Sequence, residues 1–286
     1  MTTLPPAATC CPICKSGKIQ YWGSACDIGN ANLLHNLSKC QDCTHLFINP
    51  LPSREFLNLA YQTCNPSVFT SDGFVGRRST EPFSVADELV LSHLLTAKRG
   101  NFLDVGSANL RLLETIKNNG WDLSVVEPSQ HAKEFEDVLG CKVFKTSLEE
   151  CAFTHTYDIV SVIDVLEHVH TPVDFLKKLK VILSDEGFAL FRFPNSSSLR
   201  CKFEHDKWDM IRPLGHLHFF SPRSFRVACN TSGLRIEVLQ SHDIYHYIFN
   251  NFTGRALRKL GILRLFKSTL DNLLLGDQLF AKVTHE

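Results

Sequence analysis

The sequence has no charge bias: 30 Lys and Arg offset 30 Asp and Glu, for a formal net charge of zero. Without a global field, attraction to nucleic acid or to an anionic membrane would have to come from a local patch. No run of eighteen apolar residues occurs, and the opening stretch, MTTLPPAATCCPIC, has neither the basic nor the apolar part of a secretory signal. A cytoplasmic location is the expectation. No internal repeat or low-complexity tract interrupts the 286 residues, which sets aside solenoid, collagen-like and disordered classes. What is present is ordinary for a globular chain: 44% hydrophobic residues, 21% charged and 21 Phe, enough for one large core with a small satellite.

Residues 1–50 are rich in Cys, Gly and Asn, whereas residues 100–240 alternate apolar strands with helical patterns. The shift predicts a small N-terminal unit at 1–53, a helical segment at 54–99 and a main domain at 100–286. Helices are predicted at Arg54–Thr63 and Glu81–Lys98, with a loop at Asn65–Thr80 that carries Arg77 and Arg78. Strands follow at 102–105, 123–127, 142–145, 157–163, 188–193, 234–239 and 278–283, with helices at 109–119, 129–139, 172–183 and 221–231. Ser221 as N-cap, Pro222 at the first helical position and Gly233 past the end frame the last of these. Alternating units of this length predict an α/β fold with a parallel sheet covered on both faces.

Eleven cysteines in a reducing compartment point to metal ligands before disulfides. Cys11 and Cys14 form one Cys-x-x-Cys knuckle and Cys40 and Cys43 another, separated by 25 residues. Four thiolates suit tetrahedral zinc and close its coordination shell, so such a site stabilises a small fold and leaves no open position for catalysis. Cys10, next to Cys11, is an alternative ligand. Cys26, Cys64, Cys141, Cys151, Cys201 and Cys229 read as core or incidental residues.

In FLDVGSANLRLL, Asp104 ends a strand, Gly106 makes the turn and a helix begins near Asn109. This is the ligand-binding edge of a parallel sheet. Glu127 closes the next strand, where a carboxylate can take hydrogen bonds from both hydroxyls of a ribose. A dinucleotide needs glycines where this chain has Ala108 and Arg111, so nicotinamide and flavin cofactors are disfavoured. An adenosine ligand with no pyrophosphate fits better, its methionine carboxylate meeting the helix N-terminus and its amine facing Asp104. S-adenosylmethionine is such a ligand.

The segments LDVGSANLRLL, VVEPS, YDIVSVIDVLEHV and GFALFRFPN, in that order, resemble the successive motifs of class I methyltransferases. The leading CPIC and CQDCTHLFINPLP resemble the zinc-ribbon head, and HLHFFSPRSF and GDQLFAKV the tail, of a subgroup that includes sugar methyltransferases. The resemblance implies a Rossmann-like, seven-stranded, mostly parallel sheet with its last strand antiparallel, behind an N-terminal zinc-ribbon subdomain. It also implies that Asp104, Gly106, Ser107 and Ala108 meet the methionine side of the cofactor and Glu127 its ribose, with Pro128 beside the adenine. Ser147 and Leu148 follow the third strand, where Ser147 offers a hydroxyl to the adenine, and Asp164 and Val165 flank the cofactor. The family pattern D-x-G-x-G-x-G is met here by Asp104, Gly106, Ala108 and Leu110. The expectation is that the first helix begins at Leu110, with that side chain turned inward.

Methyl transfer is an in-line displacement that depends mainly on alignment, with a base needed where the acceptor is a hydroxyl or an acidic carbon. The base candidates are His168, in Leu166-Glu167-His168, and the pair His216 and His218 in GHLHFFS, whose strand-like spacing would put both imidazoles on one face. That spacing would equally suit a metal, but no third ligand is evident. For each histidine ordinary packing is the competing reading, as it is for Trp208 against a role as acceptor wall. The helical excursion at 241–276 carries Arg255, Arg258, Lys259, Arg264 and Lys267 among leucines, a basic amphipathic pattern that would pack on the sheet or lie on a membrane. The expected acceptor is a small molecule, and the resemblance alone implies a sugar or an intermediate of glycan or natural-product assembly. Two rivals are a catalytically dead binding or scaffold subunit and an RNA or protein methyltransferase guided by the ribbon, the latter opposed by the neutral charge.

Overall fold

The computed structural model describes residues 6–27, 30–55, 57, 83–106, 110–129, 132–213, 215–242 and 273–286. Ser107, Ala108, the loop with Arg77 and Arg78, nearly all of the predicted helix 54–63 and residues 243–272 of the excursion lie outside them. The described strands form two sheets. The larger has seven strands: β4 (Asn101–Val105), β5 (Asp122–Val126), β6 (Lys142–Phe144), β7 (Tyr157–Ile163), β8 (Leu183–Pro194), β10 (Leu234–His242) and β11 (Gln278–His285). Their order is β10-β11-β8-β7-β4-β5-β6. Strands β4 to β8 pair in parallel, while β11 runs antiparallel to both β8 and β10. The chain winds outward in one direction through β5 and β6 and in the other through β7 and β8, so a crevice opens beyond the ends of β4 and β7.

Five helices border this sheet: α1 (Val85–Leu94), α2 (Leu110–Asn118), α3 (Ala132–Leu139), α4 (Pro172–Ile182) and, after the short α5 (Leu199–Glu204), α6 (Pro222–Thr231). Helix α1 is shorter than the pattern predicts because Ser84 and Asp87 form a reciprocal capping box that fixes its start. Ser221 and Ser224 do the same for α6, with Pro222 in its first turn. Helix α2 begins at Leu110, and Leu110 packs against the cluster of Phe102, Leu113, Ile116 and Trp121. The bulk that replaces a family glycine is therefore absorbed by the core.

The smaller sheet is antiparallel, in the order β1 (Ile19–Asp27), β2 (Asn30–Cys40), β3 (Leu46–Ile48) and β9 (His218–Phe219). Its last strand comes from the connection between β8 and β10: Leu46 pairs with Phe219 and Phe47 with His218. Around it lies a cluster of Leu37, Leu46, Ile48, Trp208, Ile211 and Phe219. Trp208 is buried there, so it packs as core. Cys11, Ile13, Cys40 and Cys43 share one hydrophobic cluster with Leu103, Val126, Leu166 and Phe220, which makes the interior continuous across residue 53.

Candidate active site

Asp104 and Glu127 stand at the ends of the adjoining strands β4 and β5, and both are buried. The Ser161 hydroxyl, on β7, donates to Asp104 Oδ1, which orients that carboxylate at the crevice. Glu127 Oε1 accepts the Ser129 amide at 2.8 Å. Burial, aided by the nearby Asp104 charge, pushes the Glu127 carboxyl above its ordinary range. A pair of this kind gains from a ligand that donates hydroxyls to one carboxylate and a positive charge to the other.

Gly106 sits between them at φ +71°, its amide donating to the Val126 carbonyl at 2.8 Å. A Cβ there would come within 2.5 Å of Val165 Cγ2, so two independent constraints demand glycine. The contact also joins the turn after β7 to the crevice floor. Asp164, in that turn, has φ +56° and is held by both Nε and Nη2 of Arg192 on β8, Nε at 2.8 Å. Its carboxylate is thus already matched with a cation. Pro128 is exposed beside Glu127, whereas Leu148 is buried. Ser147 occupies the N-cap of a one-turn 3₁₀ helix at 148–150 and makes no side-chain cap bond.

The same turn carries Glu167 and His168. His168 Nδ1 lies 2.6 Å from the Gly215 carbonyl, and His216 Nδ1 lies 2.6 Å from the Met210 carbonyl. A carbonyl only accepts, so each Nδ1 bears the proton and each neutral ring keeps Nε2 as a base. The two rings meet edge to face, centroids 4.9 Å apart. Burial holds both below the usual imidazole range, His216 strongly so. Glu167 is the residue the sequence gives no reason to choose. It is 1% exposed, its backbone carbonyl takes the Leu217 and His218 amides, and burial raises its carboxyl well above the ordinary value.

The expectation that His216 and His218 share a face is corrected by the backbone. His216 lies in a turn, its amide bonded to the Arg212 carbonyl, and extended structure starts only at His218. His218 therefore goes elsewhere: its Nδ1 lies 3.0 Å from His45 Nε2, among Phe220 and His45, with no exposed surface. Burial depresses it to about 3. It ties β9 to the residue just ahead of β3 inside the smaller sheet and is wholly enclosed.

The four sequence-predicted cysteines do converge. Cys11 and Cys43 sulfurs are 3.5 Å apart, as are those of Cys14 and Cys40, and all four lie within 4.8 Å of one another. Sulfurs around tetrahedral zinc, with bonds of about 2.3 Å, stand about 3.8 Å apart, so the donor set fits that ion. The two knuckles repeat each other. Lys15 and Thr44, each just past its second cysteine, have φ of 60° and 63°, and their amides bond to the Cys11 and Cys40 carbonyls.

The parallel sheet with acidic strand ends and a glycine turn defines a nucleoside-binding α/β protein. Residues 79–239 match the family model described as a methyltransferase domain, more than half of the chain, and the chain belongs to that family of S-adenosylmethionine-dependent enzymes. Among solved structures it is similar to the CcbJ methyltransferase from Streptomyces caelestis, with 10% identity and a TM-score of 0.54, over 79% of this chain and 98% of that one. A SAM-dependent methyltransferase from Archaeoglobus fulgidus aligns at 18% identity and TM-score 0.50, over 70% and 94%. The plantazolicin methyltransferase BpumL, in complex with a pentazolic desmethylPZN analog and SAH, aligns at 14% and 0.50, over 81% and 98%. At such identities the likeness concerns the fold. No curated protein matches the sequence.

Proposed function

We propose that the chain moves the methyl group of S-adenosylmethionine to an oxygen or carbon of a small-molecule acceptor, of the kind found in sugars or in glycan and natural-product intermediates. One observation carries this reading: the turn 164–168 touches Gly106 through Val165 and presents His168 to His216 on its other side. Cofactor and proton acceptor thus share a wall. Bound cofactor would supply an electrophilic methyl on a sulfonium. Asp104 would hold its amine, Glu127 its ribose, Gly106 with Ser107 and Ala108 would line its methionine side, and Pro128, Ser147 and Leu148 its adenine. Val165 packs alongside, while Asp164, committed to Arg192, braces the turn.

On the acceptor side, His216 and His168 offer Nε2 atoms that stay unprotonated at neutral pH, free to take a proton from an acceptor aligned on them. His218 is assigned to packing because it is wholly enclosed. The likeness to the plantazolicin methyltransferase BpumL, whose structure holds a pentazolic desmethylPZN analog beside SAH, supports a small-molecule acceptor over a macromolecule. Zinc on Cys11, Cys14, Cys40 and Cys43 would staple residues 1–53 as a ribbon ahead of the segment 54–99 and the catalytic part 100–286. Among the described residues no helix is long and apolar enough to cross a membrane.

Calorimetric titration with S-adenosylhomocysteine tests the reading. Tight binding to the full chain, weakened at least about tenfold in Asp104→Asn and in Glu127→Gln, is expected, since each loses a charged hydrogen bond. No binding by the unaltered chain would overturn it.

A further inference from the structure

Glu167 poses a problem that methyl transfer does not solve. Its Oε2 is buried and has no hydrogen-bond partner among the described residues. An isolated carboxylate in such a place costs several kcal/mol unless a proton or a cation accompanies it. The nearby arginine serves only in part: Arg192 spends both Nε and Nη2 on Asp164 and offers Glu167 its charge but no hydrogen bond. What Glu167 does have beside it are His168 and His216, with one ligating atom of each of the three residues within 4.8 Å of the others. Both imidazoles give Nδ1–H to backbone carbonyls, the outer contact that fixes the tautomer and orientation of metal-binding histidines.

We propose that Glu167, His168 and His216 hold a divalent first-row metal ion with coordination positions left for an oxygen of the acceptor. Two neutral imidazoles and one carboxylate form a donor set suited to Mn(II), Fe(II) or Co(II), and three protein ligands leave the shell open. The local charge permits it, because the Asp164–Arg192 pair cancels and Glu167 contributes a net negative charge. Arg212, on the imidazole side, weakens the attraction without cancelling it. The proposal deepens the reading above: with the ion present, Nε2 of His168 and His216 serve as ligands, and coordination rather than an imidazole acidifies the acceptor hydroxyl. It accounts for three side chains at once, including one that the sequence does not single out.

The test uses the full chain with its cysteine cluster loaded, and Mn(II) as probe, since Mn(II) discriminates against thiolates. Electron paramagnetic resonance should show one Mn(II) site per chain, with water-relaxation enhancement from its open positions. Glu167→Gln and His216→Ala should each weaken it more than about tenfold. Calorimetry with S-adenosylhomocysteine, run on the same samples, reports the cofactor crevice separately and shows that the variants are folded. Absence of Mn(II) binding in a chain that binds S-adenosylhomocysteine overturns the metal site and leaves the transferase reading intact. Equal Mn(II) binding by the variants also overturns it. Mn(II) bound and lost on substitution, with no S-adenosylhomocysteine bound, upholds the site and refutes the transferase reading.

Discussion

Two groups of side chains suited to hold a metal lie among the described residues, and they are built for opposite ends. The cysteines come from two matching knuckles, approach pairwise at 3.5 Å and would fill the tetrahedral shell of a zinc ion. Nothing is left for a substrate to take. Glu167, His168 and His216 come from two turns beside the crevice, number three, and keep an unsatisfied oxygen. The first arrangement exchanges reactivity for rigidity; the second keeps reactivity and relies on its surroundings for shape. Part of those surroundings is the first: β3, which follows the second knuckle, pairs with β9, and the Ile48 amide donates to the Leu217 carbonyl one residue from His216. The closed cluster is thus positioned to hold the open one in place.

The most forceful way to break that relation is to open the closed cluster. Cys40→Ser, or a strong chelator, should remove the ion and at least about 5 kcal/mol of stability, because site formation and folding of the small sheet are one event. Thermal melts with and without chelator would register it. Turnover should fall with it as β9 loses its neighbour.

A change confined to the open group should behave differently. His216→Asn is expected to lower turnover by about 10²- to 10⁴-fold while S-adenosylhomocysteine affinity and melting temperature stay close to those of the parent. A matching loss of stability would show that His216 is a packing residue after all. Next in size is Gly106→Ala, which meets both a positive φ and the Val165 side chain, for a cost of about 1–3 kcal/mol and weaker cofactor binding. Urea titration together with calorimetry separates the two effects.

The smallest effect concerns the histidine pair inside the smaller sheet. His45 and His218 are buried and neutral, their affinity for protons lowered by burial. The unfolded chain therefore binds more protons below the ordinary histidine pKa of about 6.5, so stability falls as pH drops from there. Each group contributes about 1.4 kcal/mol per pH unit, for His218 down to about pH 3. His218→Asn should flatten this acid limb of the denaturation profile by one group's share. An unchanged slope would mean that other groups set it.

Much of this was legible in the residues. The seven large-sheet strands follow from alternation of apolar runs with helical spacing, and the crevice from Asp104, Gly106 and Glu127 at neighbouring strand ends. The cysteine cluster follows from two equal spacings. Three things were not legible. Strand β9 is two residues long and pairs with a partner far away in sequence, so no local pattern marks it. The divergence of His216 and His218 depends on where extended backbone begins, and their spacing is blind to that. Glu167 looks like a turn carboxylate in solvent; only packing of the 215–218 segment over it shows that it is enclosed.

Strand β9 also bears on how the chain comes to be folded as it is made. The knuckles and β1 to β3 emerge first, yet the edge they present at β3 is covered only when residues 218 and 219 arrive, after most of the large sheet has been synthesised. Until then Leu46 and Phe47 border an open strand edge, a template for mispairing with another chain. Early metal capture would not remove that hazard. Only completion of the catalytic half does, and this ties the maturation of the smaller sheet to the length of chain already released.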